Sequence, residues 1–211
     1  MGQRVSSKIM IEVERKKLLK LIIASKNSGK VKEFQSLLKD FSLDIKSQPE
    51  QLKVEETGAN FIENARIKAI AAAAYTGELS LADDSGLCVE ALSGAPGIYS
   101  ARYADSDRER IKRLLSELSK YEDRHATFIA ALCIASPSKG VLIEIQGQCE
   151  GLITAVPRGE NGFGYDPIFE ELETKMTFAE MNKDQKIKFG HRGKAFQELR
   201  PLLKKFISSL S

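Results

Sequence analysis

LADDSGLCVEALSGAPGIYSARY, Leu81 to Tyr103, is the stretch on which the reading of this chain turns. Leu81-Ala82 reads as the end of a buried strand. Asp83-Asp84-Ser85-Gly86 then breaks it with two adjacent carboxylates, a hydroxyl and a flexible backbone position. Successive residues of a strand face opposite sides, so one carboxylate can line a cleft while the other braces the loop behind it. Carboxylates at a strand end are hard oxygen ligands for Mg²⁺ and, where unpaired, general bases. The same four residues also suit an ordinary polar turn. Periodicity does not choose between Asp83 and Asp84.

Working outward, residues 19–24 (LKLIIA) are short, apolar and β-branched, and read as the first strand. They run into Ser25-Lys26-Asn27-Ser28-Gly29-Lys30 and then a helix through residue 39, with Val31, Phe34, Leu37 and Leu38 inward. A strand, a small polar loop and a helix N-terminus make an anion site, because free N–H groups and the positive end of the helix dipole face the loop. The glycine spacing of a Walker A loop is absent, and a plain capped junction fits the residues equally. Residues 43–46 read as a strand. Residues 60–75 read as an Ala-rich helix, capped by Thr57 or Asn60 and stopped by Gly77. Glu55 and Glu56 ahead of it suit the helix dipole.

On the other side, residues 105–118 read as an amphipathic helix. Residues 127–136 and 141–149 read as long strands around the hairpin signal Pro137-Ser138-Lys139-Gly140, continuing through 151–156. Residues 159–169 (GENGFGYDPIF) read as loop, with Phe163 offering a stacking face. Residues 177–181 are expected as a short helix, 183–188 as a basic run, and about 193–210 as the closing helix. This order is α/β with a mixed sheet.

The 211 residues suffice for one large domain. Hydrophobic content of 42% and charged content of 29% are those of an ordinary globular chain. A net charge of +3 is too small and too evenly spread to argue for a nucleic-acid surface and is compatible with a polyphosphate ligand. Cys88, Cys133 and Cys149, without a CxxC, read as reduced thiols of a cytoplasmic protein. No apolar run reaches about 18 residues, so no membrane-spanning helix is expected. Residues 1–18 read as an N-terminal extension, frayed or forming a short helix. Its MGQRVS start fits the short myristoylation pattern, with nothing downstream that suggests an anchor. His125 has no second histidine near it and reads as structural.

DDSGLCVEALSGAPGIYSARYA closely resembles the signature of the inosine triphosphate pyrophosphatase family, the XTP/dITP diphosphatases that clear deaminated purine nucleotides. Ser25-Lys26-Asn27-Ser28-Gly29-Lys30, Phe163-Gly164-Tyr165-Asp166-Pro167 and His191-Arg192-Gly193 match in the same order. The resemblance therefore runs from about residue 19 to the C-terminus. It implies an elongated mixed β-sheet flanked by helices, a two-lobed domain over residues 19–211 with the active-site cleft between the lobes, and a homodimer. Gly190 departs from the pattern, which usually has Ser there, and removes one hydrogen bond from the base pocket.

The reaction implied by the resemblance is hydrolysis of ITP, dITP or XTP between the α- and β-phosphates, giving monophosphate and pyrophosphate. Asp84 is then the general base, and Mg²⁺, replaceable by Mn²⁺, rests on Glu55 and Asp84. Ser85 and the Ser25, Lys26, Asn27, Ser28, Gly29, Lys30 loop hold phosphates, with Lys186 and Arg192 assisting. Phe163, Gly164, Tyr165, Asp166 and His191 hold the base. A 6-oxo purine offers an acceptor at C6 and a donor at N1, which Arg192 or His191 and Asp166 match; adenine reverses both. Two other classes remain open. A nucleotide- or RNA-binding module would want a basic and aromatic stripe that this sequence lacks. A phosphatase, or a pyrophosphatase of other base preference, is separated by assaying pyrophosphate against orthophosphate.

Overall fold

The computed structural model describes residues 18–210, so the N-terminal extension, Leu18 excepted, lies outside the described residues. The elements in chain order are β1 (Leu19–Ile23), α1 (Ser28–Leu37), β2 (Leu43–Ser47), α2 (Phe61–Thr76), β3 (Leu79–Val89) and α3 (Asp107–Leu118). They continue with β4 (His125–Ser136), β5 (Gly140–Ile153), β6 (Phe169–Glu171), α4 (Lys183–Phe189) and α5 (His191–Ser208). Six strands make one mixed sheet in the order β2-β1-β3-β4-β5-β6. Helical crossovers return the chain, so β1 lies parallel to β2 and to β3, while β3 to β6 are joined antiparallel. The α/β mixed sheet read from the element order is the one observed.

Three local expectations are corrected. Asp83-Asp84-Ser85-Gly86 does not break its strand. β3 runs on to Val89, with Asp83 opposite Leu132 and Asp84 opposite Ala131, because the long β4 ladder outweighs the local turn preference. Residues 177–181 form a turn rather than a helix. The Phe178 N–H goes sideways to the Phe169 carbonyl and the Ala179 N–H to that of Asp166, while the Glu180 and Met181 N–H groups return to the Thr177 carbonyl, a single turn that does not extend into a helix. The stretch read as loop over 159–169 runs at its end into β6, three residues too short to show a period.

Helix caps follow the residues. Asn60 accepts the Glu63 N–H at 3.0 Å to start α2, and Gly77, at φ 70°, ends it in the left-handed region. Ala65, Ala69, Ala72 and Ala73 of α2 lie on Ala82, Ala131, Cys133 and Ala135 of the sheet, and small against small brings the helix close. On the opposite face Phe34, Phe196 and Leu199 of α1 and α5 pack on Leu21, Ile23, Leu81 and Leu132. A third cluster joins Leu114 and Leu118 of α3 to Leu87, Phe128, Phe169 and Phe178. Each such buried Leu or Phe contributes about 1.5–3 kcal/mol.

Gly147 of β5 sets the depth of α5. A Cβ there would stand 2.4 Å from the Ala195 nitrogen and 2.6 Å from the His191 carbonyl oxygen, so only glycine lets the helix backbone rest on the strand. All three cysteines are free. No helix among the described residues is long and apolar enough to cross a membrane.

Candidate active site

β1 accompanies β3 only as far as Leu81, after which no strand among the described residues pairs with that edge of β3. A cleft of about 810 Å³ opens there, just past the carboxyl end of β1, where open α/β sheets bind ligands. The start of α1, the 161–166 loop, Ser85-Gly86 of β3, and α4 with the first turn of α5 line it.

Its polar wall is an alternating chain of charges. Asp166 Oδ2 pairs with Lys186 Nζ at 2.6 Å, Lys186 with Glu33 at 2.8 Å, and Glu33 with Arg192 at 2.5 Å. Arg192 Nε then meets Asp83 at 3.2 Å, and Asp83 meets Lys30 Nζ at 2.7 Å. Ser85 Oγ accepts from Arg192 at 2.6 Å and donates to Asp83 at 3.0 Å. The other face of β3 repeats the pattern: Asp84 Oδ1 to Lys68 at 2.8 Å, Lys68 to Glu56 at 2.7 Å, Glu56 to Arg102 at 2.9 Å.

These partners set the acidities. Burial pushes the Asp83 carboxyl up, but Arg192 and Lys30 overcome it and hold the group far below the usual carboxylate range. Burial also pushes Asp84 up, and there it prevails over the pull of Lys68 and Lys30. Burial lowers Lys30, against the attraction of Asp83. Burial raises Asp166 despite Lys186. Glu33, although buried, is held low by Arg192 and Lys186.

The apolar wall is aromatic. The His191 ring stacks on Phe128, centroids 4.6 Å apart at 9°, and faces Phe178 at 5.9 Å. Both its ring nitrogens are buried without a hydrogen-bond partner within the protein. Burial, with Arg192 adding to it, drives its pKa well below the ordinary histidine value, so the ring is neutral with one N–H to give and one lone pair to accept. The Phe163 ring closes the opposite side, packed so tightly on Gly29 that a Cβ there would stand 2.5 Å from it.

The structure brings Asn27, Ser28, Gly29, Lys30, Ser85, Phe163, Gly164, Tyr165, Asp166, Lys186, His191 and Arg192 to this cleft. It does not bring Ser25 or Lys26: Ser25 Oγ accepts the Asn27 N–H, and Lys26 donates to the Glu50 carbonyl. Asn27 Oδ1 accepts the Gly29 and Lys30 N–H groups at 2.9 and 3.2 Å, so the amides expected to face an anion are capped from within. Glu55 is exposed, whereas its neighbour Glu56 shares Lys68 with Asp84. Glu33 and Lys68 were not singled out. Glu33 lies three residues after Lys30 on one side of α1, and Lys68 lies four after the buried Asn64, a polar row through an alanine face.

A sequence model of the Ham1 family matches residues 21–202. The chain belongs to the Ham1 family. A HAM1 protein from Coxiella burnetii is 41% identical and superposes with a TM-score of 0.81 over 89% of this chain and 100% of that one. The Ham1 protein of Staphylococcus aureus is 39% identical with a TM-score of 0.78, covering 88% and 98%. A protein named dITP/XTP pyrophosphatase from Prochlorococcus marinus (strain NATL1A) is 59% identical over 190 residues, 90% of this chain and 96% of that protein. These likenesses agree with the family resemblance of the four sequence motifs, and the six-stranded mixed sheet is the Ham1 fold.

Within this Ham1 fold Asp84 presents one free oxygen of the kind that suits Mg²⁺. Asp84 Oδ2 is buried with no hydrogen-bond partner, while the oxygens of Glu56, across Lys68, are engaged by Lys68 and Arg102 and would have to exchange those partners for the ion. Mg²⁺ is commonly held by one or two carboxylates, its other positions going to waters and substrate phosphates.

Proposed function

We propose that this Ham1 protein hydrolyses non-canonical purine nucleoside triphosphates, dITP, ITP and XTP, to the monophosphate and pyrophosphate. One observation carries the reading: a buried carboxylate oxygen without a partner, Asp84 Oδ2, belongs to the β3 residue that immediately precedes Ser85 of an aromatic-walled, cation-lined cleft. The relatives named dITP/XTP pyrophosphatase support it. The same reading carries a homodimeric, cytoplasmic enzyme.

The purine lies between the Phe163 face and the His191 side. His191 donates its one N–H to the 6-oxo group, and a carboxylate of the Asp166–Lys186–Glu33 run accepts from N1–H. Arg192, expected to assist with the phosphates or to meet the C6 oxygen, already gives its donors to Asp83, Glu33 and Ser85, so its part is to hold that wall rigid. The phosphates run past Ser85 and Lys30 towards Asp84. Asp84 accepts a proton from the attacking water as the new bond to the α-phosphorus forms. The bridging oxygen keeps the electron pair of the bond that breaks and departs with pyrophosphate. Asp83, held ionised by three cations, keeps Lys30 and Arg192 in place. Asp84 and Glu56 would hold Mg²⁺, which neutralises triphosphate oxygens and the leaving pyrophosphate.

The test is a panel of ITP, dITP, XTP, GTP and ATP with Mg²⁺, scored for pyrophosphate against orthophosphate. The three 6-oxo substrates lacking a 2-amino group should lead and release pyrophosphate, with ATP rejected by as much as about 10⁴-fold. Asp84→Asn should lose roughly 10²–10⁴-fold in turnover while remaining folded. Equal hydrolysis of ATP, release of orthophosphate, or near-normal turnover in Asp84→Asn would each refute the reading.

A further inference from the structure

The loop that carries Phe163 is held by residues remote from it in sequence. The Gly164 N–H donates to Asp107 Oδ2 at 2.7 Å across a separation of 57 residues. Next to it, the Tyr165 hydroxyl donates to the buried Ser100 carbonyl at 3.0 Å. On the other side of the Phe163 side chain, its own N–H is taken by Asp166 Oδ2 at 2.8 Å. Two carboxylates, Asp107 of α3 and Asp166 of the loop itself, therefore grip consecutive amides, those of Gly164 and Phe163. Gly162 and Gly164, which bracket Phe163, stand at φ 80° and 63°, so outside anchors decide where this stretch of backbone directs the ring.

Asp107 is built as such an anchor. It opens α3, and its Oδ1 is paired with Arg110 at 2.6 Å, leaving Oδ2 for the loop. Arg110 is itself fixed through Nε on the Ala104 carbonyl at 2.9 Å. Behind it, Leu114 and Leu118 of the same helix are fully buried. An acid in the first turn also favours the helix dipole, but Glu109 supplies that charge too, hydrogen-bonded within the Ser106 cap and touching no part of the loop.

We propose that Asp107 is a positioning residue for the hydrolysis: its carboxylate latches Gly164 and so sets the Phe163 ring in the orientation that meets the purine. The inference rests on the reading of Phe163 as the purine-stacking face. It is tested on the full chain with Asp107→Ala, Asp107→Asn and Glu109→Ala, measuring kcat and KM for ITP and amide hydrogen exchange of the 159–166 segment without nucleotide. Losing a hydrogen bond to a charged group should raise KM about tenfold in Asp107→Ala with kcat nearly unchanged, because the ring is engaged in ground and transition states alike. Exchange of the segment should quicken in the same variant. Asp107→Asn keeps an oxygen acceptor in place and should recover most of both effects, and Glu109→Ala should match the wild type in both. An unchanged KM or unchanged exchange in Asp107→Ala overturns the proposal, as does an Asp107→Asn equally impaired. Absence of ITP hydrolysis by the wild type would instead refute the purine reading, and the exchange measurement would still decide whether the latch exists.

Discussion

Asp83 and Asp84 bring the same side chain to opposite faces of β3 and into opposite surroundings. Both are buried, yet Asp83 meets Arg192 and Lys30 and is held low, whereas Asp84 keeps one oxygen unpartnered and its pKa stays raised. The pair was legible as chemistry, but the difference between its members comes from residues far away in sequence. His191 gives a second contrast, and its titration can be followed in stability. Burial lowers its pKa below the ordinary 6.5, so the unfolded chain binds more protons in that window. The resulting stabilisation is present above the unfolded pKa and is lost as pH falls through the folded one. The urea midpoint should therefore fall between about pH 7 and about pH 5, a window set by the histidine titration. His191→Phe, which keeps the stack on Phe128, should lessen that fall. The other histidine, His125, is exposed at the start of β4. Identical pH dependence in both proteins would place the proton uptake elsewhere.

At the scale of elements, apolar period and caps located the strands and helices, and tertiary pairing decided where they stop. The polar DDSG run stays in β3 because β4 pairs with it residue for residue, and residues 177–181 stop at a single turn because the Phe178 and Ala179 amides face the 166–169 segment. The placement of α5 is a matter of contact between two backbones. Gly147→Val should push His191 and Arg192 out of the cleft wall, since the added atoms would overlap the Ala195 nitrogen and the His191 carbonyl. Overpacking of this kind costs about 1–3 kcal/mol. Turnover should drop further than the stability loss alone explains. Urea titration and ITP kinetics on the same preparation check this, and wild-type values in both would mean that α5 does not rest on Gly147.

Across the whole molecule, ion pairs run along the cleft wall and its rear face. Lys30, Lys68, Arg102, Lys186 and Arg192 are each paired with one or more of Glu33, Glu56, Asp83, Asp84 and Asp166, five cations to five acids. An incoming triphosphate meets these five cations already engaged, with Lys32 and Lys183 of the lining outside the network, so tight binding should need Mg²⁺ as well. A non-hydrolysable α,β-methylene analogue of ITP should raise the melting temperature strongly with Mg²⁺ and little with chelator, Mg²⁺ alone having a small effect. At a hundredfold excess over Kd the full effect is about 2.7 kcal/mol. An equal shift in chelator would remove the metal from the binding step. The sequence by itself determined the α/β order, the four motifs and most of the residues that meet at the cleft, because apolar period, helix caps and short ligand motifs are local. Tertiary structure alone decided that Asp84 rather than Asp83 keeps a free oxygen, that Glu56 rather than Glu55 shares Lys68 with Asp84, and that Lys26 turns away. Those outcomes depend on burial and charge at short range between residues distant in sequence, and only the folded chain brings such residues together.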